Sequence, residues 1–573
     1  MDLQRILILL GLAVTSYLLV LAWNEDYGDK PHVPAIEESR QVSGSGGGDE
    51  LPPAPDARQA SGGTDSAAEE LPQASDIPNA DAASVAESAV PEATVASDDS
   101  LIRVRTDVLD LRIDPLGGDI ERASLIEYPA YLDTPDDPYV LVDPRNNYAA
   151  QSGLIGPNGT DTAAGRPRFS TSGTNFELGD ADTLTVDLNL ESEAGVSITK
   201  RFTLRRGDYL IDVDYLVDNG SSEAWSAGFF GQIKRNGQPP FINEANSMGL
   251  QPFVGGATFQ EGSPYTKLEF EDIEDEAYRQ TVTGGYMAFV QHYFLSAWVP
   301  DVDLTHTYRA RKLSSGDVYL FEFTSPLQQV GPGQSATFGA DFYVGPKDQY
   351  RLEEISRGLD LTVDYGFLWW LAQPLYDLLY LIHSLVSNWG VAIILLTVVV
   401  KAALYPLSAA SFRSMAKMRK LQPEMVRLRE RYGDDRQKFS QAMIELYQKE
   451  GANPLGGCFP ILLQMPVFLA LYWTLLESVE LRQAPFMLWI DDLSAKDPFF
   501  VLPILMGVSM YVTQMLQPEP PDPMQARIFK LMPIMFTFFF LWFPSGLVLY
   551  WLINNLLSIL QQWYVMRQIE KKG

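Results

Sequence analysis

The chain has 573 residues, with 43 Lys+Arg against 73 Asp+Glu, a net charge of −30. That length argues for several units, and the acidic balance excludes a phosphate-binding, nucleic-acid surface, so no specific nucleic-acid recognition is expected. A single cysteine, Cys458, excludes an intramolecular disulfide and a Cys-cluster zinc site, and four scattered histidines without an HExxH pair give no catalytic metal motif.

Residues 1–23 open with an apolar run, Leu3 to Trp23, about long enough for a bilayer core of ~30 Å. Leu21-Ala22-Trp23 offers no small-x-small cleavage site and Arg5 is the only base there, so an uncleaved transmembrane anchor is expected. Residues 24–100 carry 17 acids and 3 bases among Gly, Pro, Ala and Ser, including Gly-Ser-Gly-Gly-Gly at 44–48. Such a segment cannot bury enough apolar surface to offset its ordering entropy, so it reads as a disordered acidic linker.

From Leu101 the pattern changes to period-two alternation, as in Leu184-Thr-Val-Asp-Leu-Asn-Leu190, Ile211-Asp-Val-Asp-Tyr215 and Val318-Tyr-Leu-Phe-Glu-Phe323. Short alternating runs bounded by Gly, Pro, Asn and Asp predict half-buried strands and an all-β sandwich over 101–350. Residues 101–364 hold 40 acids and 21 bases, a net of −19, and contain no triad, phosphate loop or metal spacing.

Residues 364–387 mix Trp369, Trp370, Tyr376 and Tyr380 with Asp377 and His383. Trp and Tyr prefer the headgroup level, so this segment predicts an interfacial amphipathic helix. Five apolar stretches follow within 388–573, at about 388–407, 457–478, 498–516, 528–543 and 546–566. With the anchor they predict an α-helical polytopic bundle of six transmembrane helices, five of them forming a core. The segment 408–456 has ten Lys/Arg and six Asp/Glu, whereas 480–497 has two and four. The positive-inside bias therefore puts 408–456 and both termini in the cytoplasm and the β domain outside, in a bacterium the periplasm.

Within 408–456, Met415, Met418, Met425, Leu428 and Tyr432 recur at helical spacing; Gly433-Asp434-Asp435 turns the chain, with Asp434 and Gln437 as a capping box. A second helix follows, with Phe439, Met443 and Leu446 or Tyr447 on one face. This basic hairpin is either a connector drawn to the membrane surface or a docking site for a ribosome or nascent chain. Its candidate docking cations are Arg413, Lys417, Arg419, Lys420, Arg427 and Arg429.

Polar residues inside apolar spans are costly and tend to face a cavity or a partner. Lys401 lies about five residues from the end of its span, with Thr397 one helical turn away. Gln464 sits between Pro460 and Pro466, and Trp551, Asn555, Ser558 and Gln562 form a row at spacings of 4, 3 and 4. Together they predict a wet groove open to the cytoplasm. A cation with no intramembrane carboxylate suits a transient polar guest better than a proton relay. Two other classes fit poorly: Phe543-Pro-Ser-Gly546 lacks the first Gly of a serine-protease Gly-x-Ser-Gly, and five unequal spans lack a transporter's repeat.

Tyr405-Pro-Leu407, Ser414-Met-Ala-Lys-Met-Arg419, Leu421-Gln-Pro423, Asn453-Pro-Leu-Gly-Gly-Cys-Phe-Pro460, Leu463-Gln-Met-Pro466, Val479 to Pro485, Asp522-Pro-Met-Gln525 and Leu541 to Tyr550 resemble the YidC family of membrane protein insertases in its Gram-negative form. Leu116-Gly-Gly-Asp-Ile120 and Gln291-His-Tyr-Phe294 resemble that family's periplasmic domain. The resemblance implies an insertase and foldase, not an enzyme, with no cofactor. It implies a hydrophilic substrate groove at Lys401, Thr397, Gln464, Tyr550 and Trp551. The implied partners are nascent membrane proteins, the Sec translocon, the ribosome and the lipid bilayer of the inner membrane. The family's groove cation is usually Arg; Lys401 keeps the charge and loses the bidentate fork.

Overall fold

The computed structural model describes residues 100–573 except 163–164, 192–194, 243–251, 315, 433–434, 451–458, 518–522 and 573. The expected anchor at 1–23 and nearly all of the expected linker at 24–100 lie outside the described residues.

Residues 102–346 form two large sheets, of eleven and nine strands among the described residues. In the smaller sheet, Leu210–Asn219 pairs antiparallel with Val196–Arg205 on one side and Ser335–Pro346 on the other. Its alternate residues Ile211, Val213, Tyr215 and Val217 are buried, as the period-two reading requires. In the larger sheet, Trp225–Arg235 pairs antiparallel with Ala149–Ile155 and Tyr319–Thr324. The last strand departs from expectation, because all six of its residues are buried. Glu322, the charged position of that alternating run, lies under Arg311 at 3.3 Å and Arg309 at 3.8 Å. Alternation of charge was a faithful sign of strand, but the covering arginines of the next strand made both faces interior.

The Leu116-Gly-Gly-Asp-Ile120 motif is a turn that needs its glycines. Gly117 and Gly118 have φ of 76° and 66°, and a Cβ on Gly118 would come within 2.8 Å of the Lys200 side chain. The turn delivers Asp119 to Arg166 and to Gln151 at 2.6 Å, and lets Lys200 Nζ donate to the Gly117 carbonyl at 3.0 Å. Burial pushes the Lys200 ammonium down to about 7.

Ten α-helices are described. Two are short, α1 (Phe270–Asp275) and α2 (Gln349–Ile355); then come α3 (Trp369–Val386), α4 (Trp389–Ala403), α5 (Tyr405–Tyr432), α6 (Arg436–Glu450), α7 (Phe459–Glu477), α8 (Val501–Met515), α9 (Pro523–Phe539) and α10 (Ser545–Lys572). Among the described residues no single helix is long and apolar enough to cross a membrane. The pair α4 and α5 meets that test together, bent by 67°, and α8 is a shorter apolar helix. Helices α4 and α8, at 15 residues each, rise about 22 Å against a core of ~30 Å.

Helix α3 buries Ala372, Leu375, Tyr376, Leu379 and Ile382 against α4 and α7, and leaves Trp369 64% and Leu385 78% exposed. Residues 423–451 make a separate unit. There Met425 and Met443 are buried, and the Tyr447 hydroxyl reaches the Met425 sulfur at 3.3 Å. At the start of α6 the Asp435 carboxylate accepts from the Lys438 amide at 3.1 Å, and the expected capping residue Asp434 lies outside the described residues.

Candidate functional site

Helices α4, α7 and α10 bring one polar cluster together inside apolar walls. The Lys401 ammonium on α4 donates to Gln464 Oε1 at 2.9 Å and to the Ser558 hydroxyl at 2.8 Å. Gln464, on α7, donates from Nε2 to the Tyr550 hydroxyl at 3.1 Å and to Asn554 Oδ1 at 2.6 Å. Lys401 is 6% exposed and Tyr550 1% exposed. No carboxylate pairs with Lys401 among the described residues, so its charge is held by neutral oxygens alone. A buried polar network of this kind is stable only while every member has a partner.

The local reason is helix periodicity. Tyr550, Asn554 and Ser558 stand four residues apart on α10 and so share one row. Asn555 and Gln562 turn elsewhere, donating to Ser509 Oγ at 3.1 Å and to the Leu516 carbonyl at 3.0 Å, both on or beside α8. The expected single stripe at 551, 555, 558 and 562 is thus split between two neighbours. Asn554 is the member that the expected row omits, since only a small rotation of α10 separates the row 551/555/558/562 from 550/554/558.

Two expected site residues do not join the network. Thr397 is buried, but its hydroxyl donates within its own helix to the Ile393 carbonyl at 2.7 Å. Trp551 packs edge-on to Phe468, with ring centroids 4.5 Å apart, and stands 5.4 Å from Phe540; its indole N–H is buried without a partner among the described residues. It forms an aromatic wall between α7, α9 and α10. Of the six docking cations, Arg413, Lys417, Arg419 and Lys420 lie before the boundary at residue 423, and Arg427 and Arg429 belong to the separate unit.

A second set of contacts seats the β domain on the helices. Lys347 Nζ meets Glu477 at the end of α7 at 2.6 Å, with side chains 3% and 4% exposed. His292 Nε2 donates to the Leu476 carbonyl at 2.9 Å. Arg482 donates to the Pro129 carbonyl at 2.8 Å and lies over the rings of Tyr139 and Phe294. The Gln291-His-Tyr-Phe294 motif therefore sits where strand meets helix. Two of the four acids of 480–497 serve the local backbone, Asp492 accepting from the Gln483 and Ser494 amides and Asp497 from those of Phe499 and Leu502, while Glu480 accepts from the Tyr376 hydroxyl at 2.6 Å. Ser545 donates to the Asp492 carbonyl at 2.8 Å, and His383 stacks on Trp389, so no Ser-His pair exists there.

These features define a two-part protein, a helical core that holds a polar cluster among apolar helices and a β domain docked on that core. The families described as YidC periplasmic domain and 60Kd inner membrane protein match residues 101–378 and 381–572. Proteins called membrane protein insertase YidC from Stutzerimonas stutzeri, Cellvibrio japonicus and Pseudomonas aeruginosa are 51%, 51% and 49% identical, each over 100% of this chain and 99% of the relative. The chain belongs to the YidC family of membrane protein insertases, inner-membrane proteins with a periplasmic domain. A solved structure of an active YidC insertase with its first transmembrane domain resolved covers 81% of this chain and 92% of its own, at 18% identity and a TM-score of 0.38. A galactose mutarotase related enzyme from Lactobacillus acidophilus covers 43% of this chain at a TM-score of 0.30.

Proposed function

We propose that this protein moves hydrophobic segments of newly made proteins from the cytoplasm into the inner membrane, using the Lys401 cluster as the polar landing site. The observation that carries this reading is a buried ammonium whose partners, Gln464 and Ser558, are neutral. A polar or acidic flank of the entering segment replaces those contacts, which lowers the cost of taking it out of water. The apolar part then slides along the outer face of the third and last spans, past the aromatic wall of Trp551, driven by burial worth about 25 cal/mol per Å². The membrane potential assists an acidic flank by about 2.3 kcal/mol per charge per 100 mV. No nucleotide is consumed.

In this reading the chain is multi-pass, with six spans, both termini cytoplasmic and the β domain periplasmic. The anchor is 1–23, the linker 24–100, the sandwich 101–350, the interfacial helix 364–387 and the core 388–573. Cytoplasmic hairpin 408–456 receives the segment, its cations Arg413, Lys417, Arg419, Lys420, Arg427 and Arg429 meeting the ribosome. Insertion runs alone or beside the Sec translocon. Lys401→Glu, expressed in insertase-depleted cells, tests the charge: failure of growth and of insertion is expected, with Lys401→Arg active, and normal growth of the Glu variant contradicts the reading.

A further inference from the structure

Between α8 and α10 the structure leaves a groove of about 410 Å³, within the ~300–1,000 Å³ of small-ligand sites. Its walls include Val512 and Leu516 from α8 and its end, and Leu560 and Trp563 from α10; its polar members are Arg419 and Gln562. Gln562 Nε2 is already engaged with the Leu516 carbonyl, which ties α10 to α8 at the groove. Arg419 is the cation on the lining, and the Arg567 guanidinium lies 5.2 Å over the ring of Trp563, another lining residue, so a second cation borders the groove. No residue on the lining is acidic.

This combination selects for one chemistry. Leu560 is 57% and Trp563 52% exposed, so the apolar walls open outward from the helices. A small soluble anion gains nothing from those walls, and a zwitterionic lipid presents no net negative charge to the two arginines. We propose that the groove holds an acyl chain of one anionic phospholipid, its phosphate accepting from Arg419 and Arg567, as a bound stoichiometric lipid. An indole beside the charged end places that end at the headgroup level, where Trp is favoured and where Arg binds phosphate through a planar fork. The inference rests on the topology proposed above, which puts this end at the cytoplasmic leaflet. It differs from general attraction of a basic loop to a charged surface, because an apolar slot of fixed size limits it to one molecule.

Native mass spectrometry of the delipidated full chain in detergent, titrated with dioleoylphosphatidylglycerol or dioleoylphosphatidylcholine, tests it. One phosphatidylglycerol is expected to bind about tenfold more tightly than phosphatidylcholine, the effect of a charge-assisted hydrogen bond. Arg419→Gln with Arg567→Gln is expected to abolish that preference. Leu516→Trp, which fills the slot and keeps both arginines, is expected to lose the bound lipid. The double variant alters the helices that carry the two arginines and Leu516→Trp alters the end of α8, so the misfolding of one does not decide the result. Equal binding of the two lipids, an undiminished preference in the double variant, or displacement of the lipid by inorganic phosphate would overturn the proposal. So would a photocrosslinker at Leu560 that captures an inserting polypeptide and no lipid. Binding is read in detergent, so it stands or fails separately from insertion.

Discussion

At the scale of residues, the central fact is that Lys401 is held by an amide and a hydroxyl. Gln464 is the hinge of the arrangement, because it accepts from Lys401 and donates to both Tyr550 and Asn554. Gln464→Leu should leave three buried polar groups short of a partner, and each such group costs roughly 1–3 kcal/mol. Thermal unfolding in detergent is expected to fall by several degrees, and insertion of an acidic-flanked substrate to fall with it. Unchanged melting would mean that water or another side chain replaces the amide. Lys401 and Gln464 were legible in the sequence because a charge and an amide stand out in apolar runs. Asn554 was not, because rows 551/555/558/562 and 550/554/558 differ by a small rotation of α10, which only packing against α7 and α8 fixes.

At the scale of elements, α7 links the polar cluster to the β domain, with Gln464 within it and Glu477 at its end. Lys347→Met strands the Glu477 carboxylate in a dry contact and should cost about 3–5 kcal/mol, whereas Lys347→Met with Glu477→Leu should recover most of that loss. Denaturant unfolding of both variants checks it, and an equal loss in the double variant contradicts the pairing. His292 adds a pH dependence. Burial first, then the Lys347 and Arg482 charges, hold its pKa down to about 3 from 6.5. The folded imidazole stays neutral while the unfolded one takes up a proton. Its contribution is therefore fully present above pH 6.5 and is lost as pH falls from 6.5 toward 3, by up to ~1.4 kcal/mol per unit. His292→Gln keeps a donor for the Leu476 carbonyl and does not titrate, so its stability should fall less steeply between pH 6 and 4. Parallel curves would remove His292 as the cause. None of these cross-domain contacts was legible, because sequence periodicity reports which face an element buries and not which distant element covers it.

At the scale of the whole molecule, hydropathy and charge marked the order of parts, with strands and then helices near their expected positions. They also predicted six spans, whereas among the described residues only the bent pair α4 and α5 passes the test of length and apolarity. The breaks at Leu404 and before α8, and the polar row of α10, leave no described helix that crosses alone by length and apolarity. Polar residues of α10 also build the Lys401 cluster, so that helix's departure from a simple apolar span and the proposed function have one cause. The most direct test is insertion of a single-span protein with a short acidic flank into liposomes holding only this purified protein, without ATP or translocon. Protection of the flank from added protease, above empty liposomes and lost in Lys401→Glu, is the predicted result. Folded and correctly oriented protein that gives no protection, or equal protection in the Glu variant, would contradict the account.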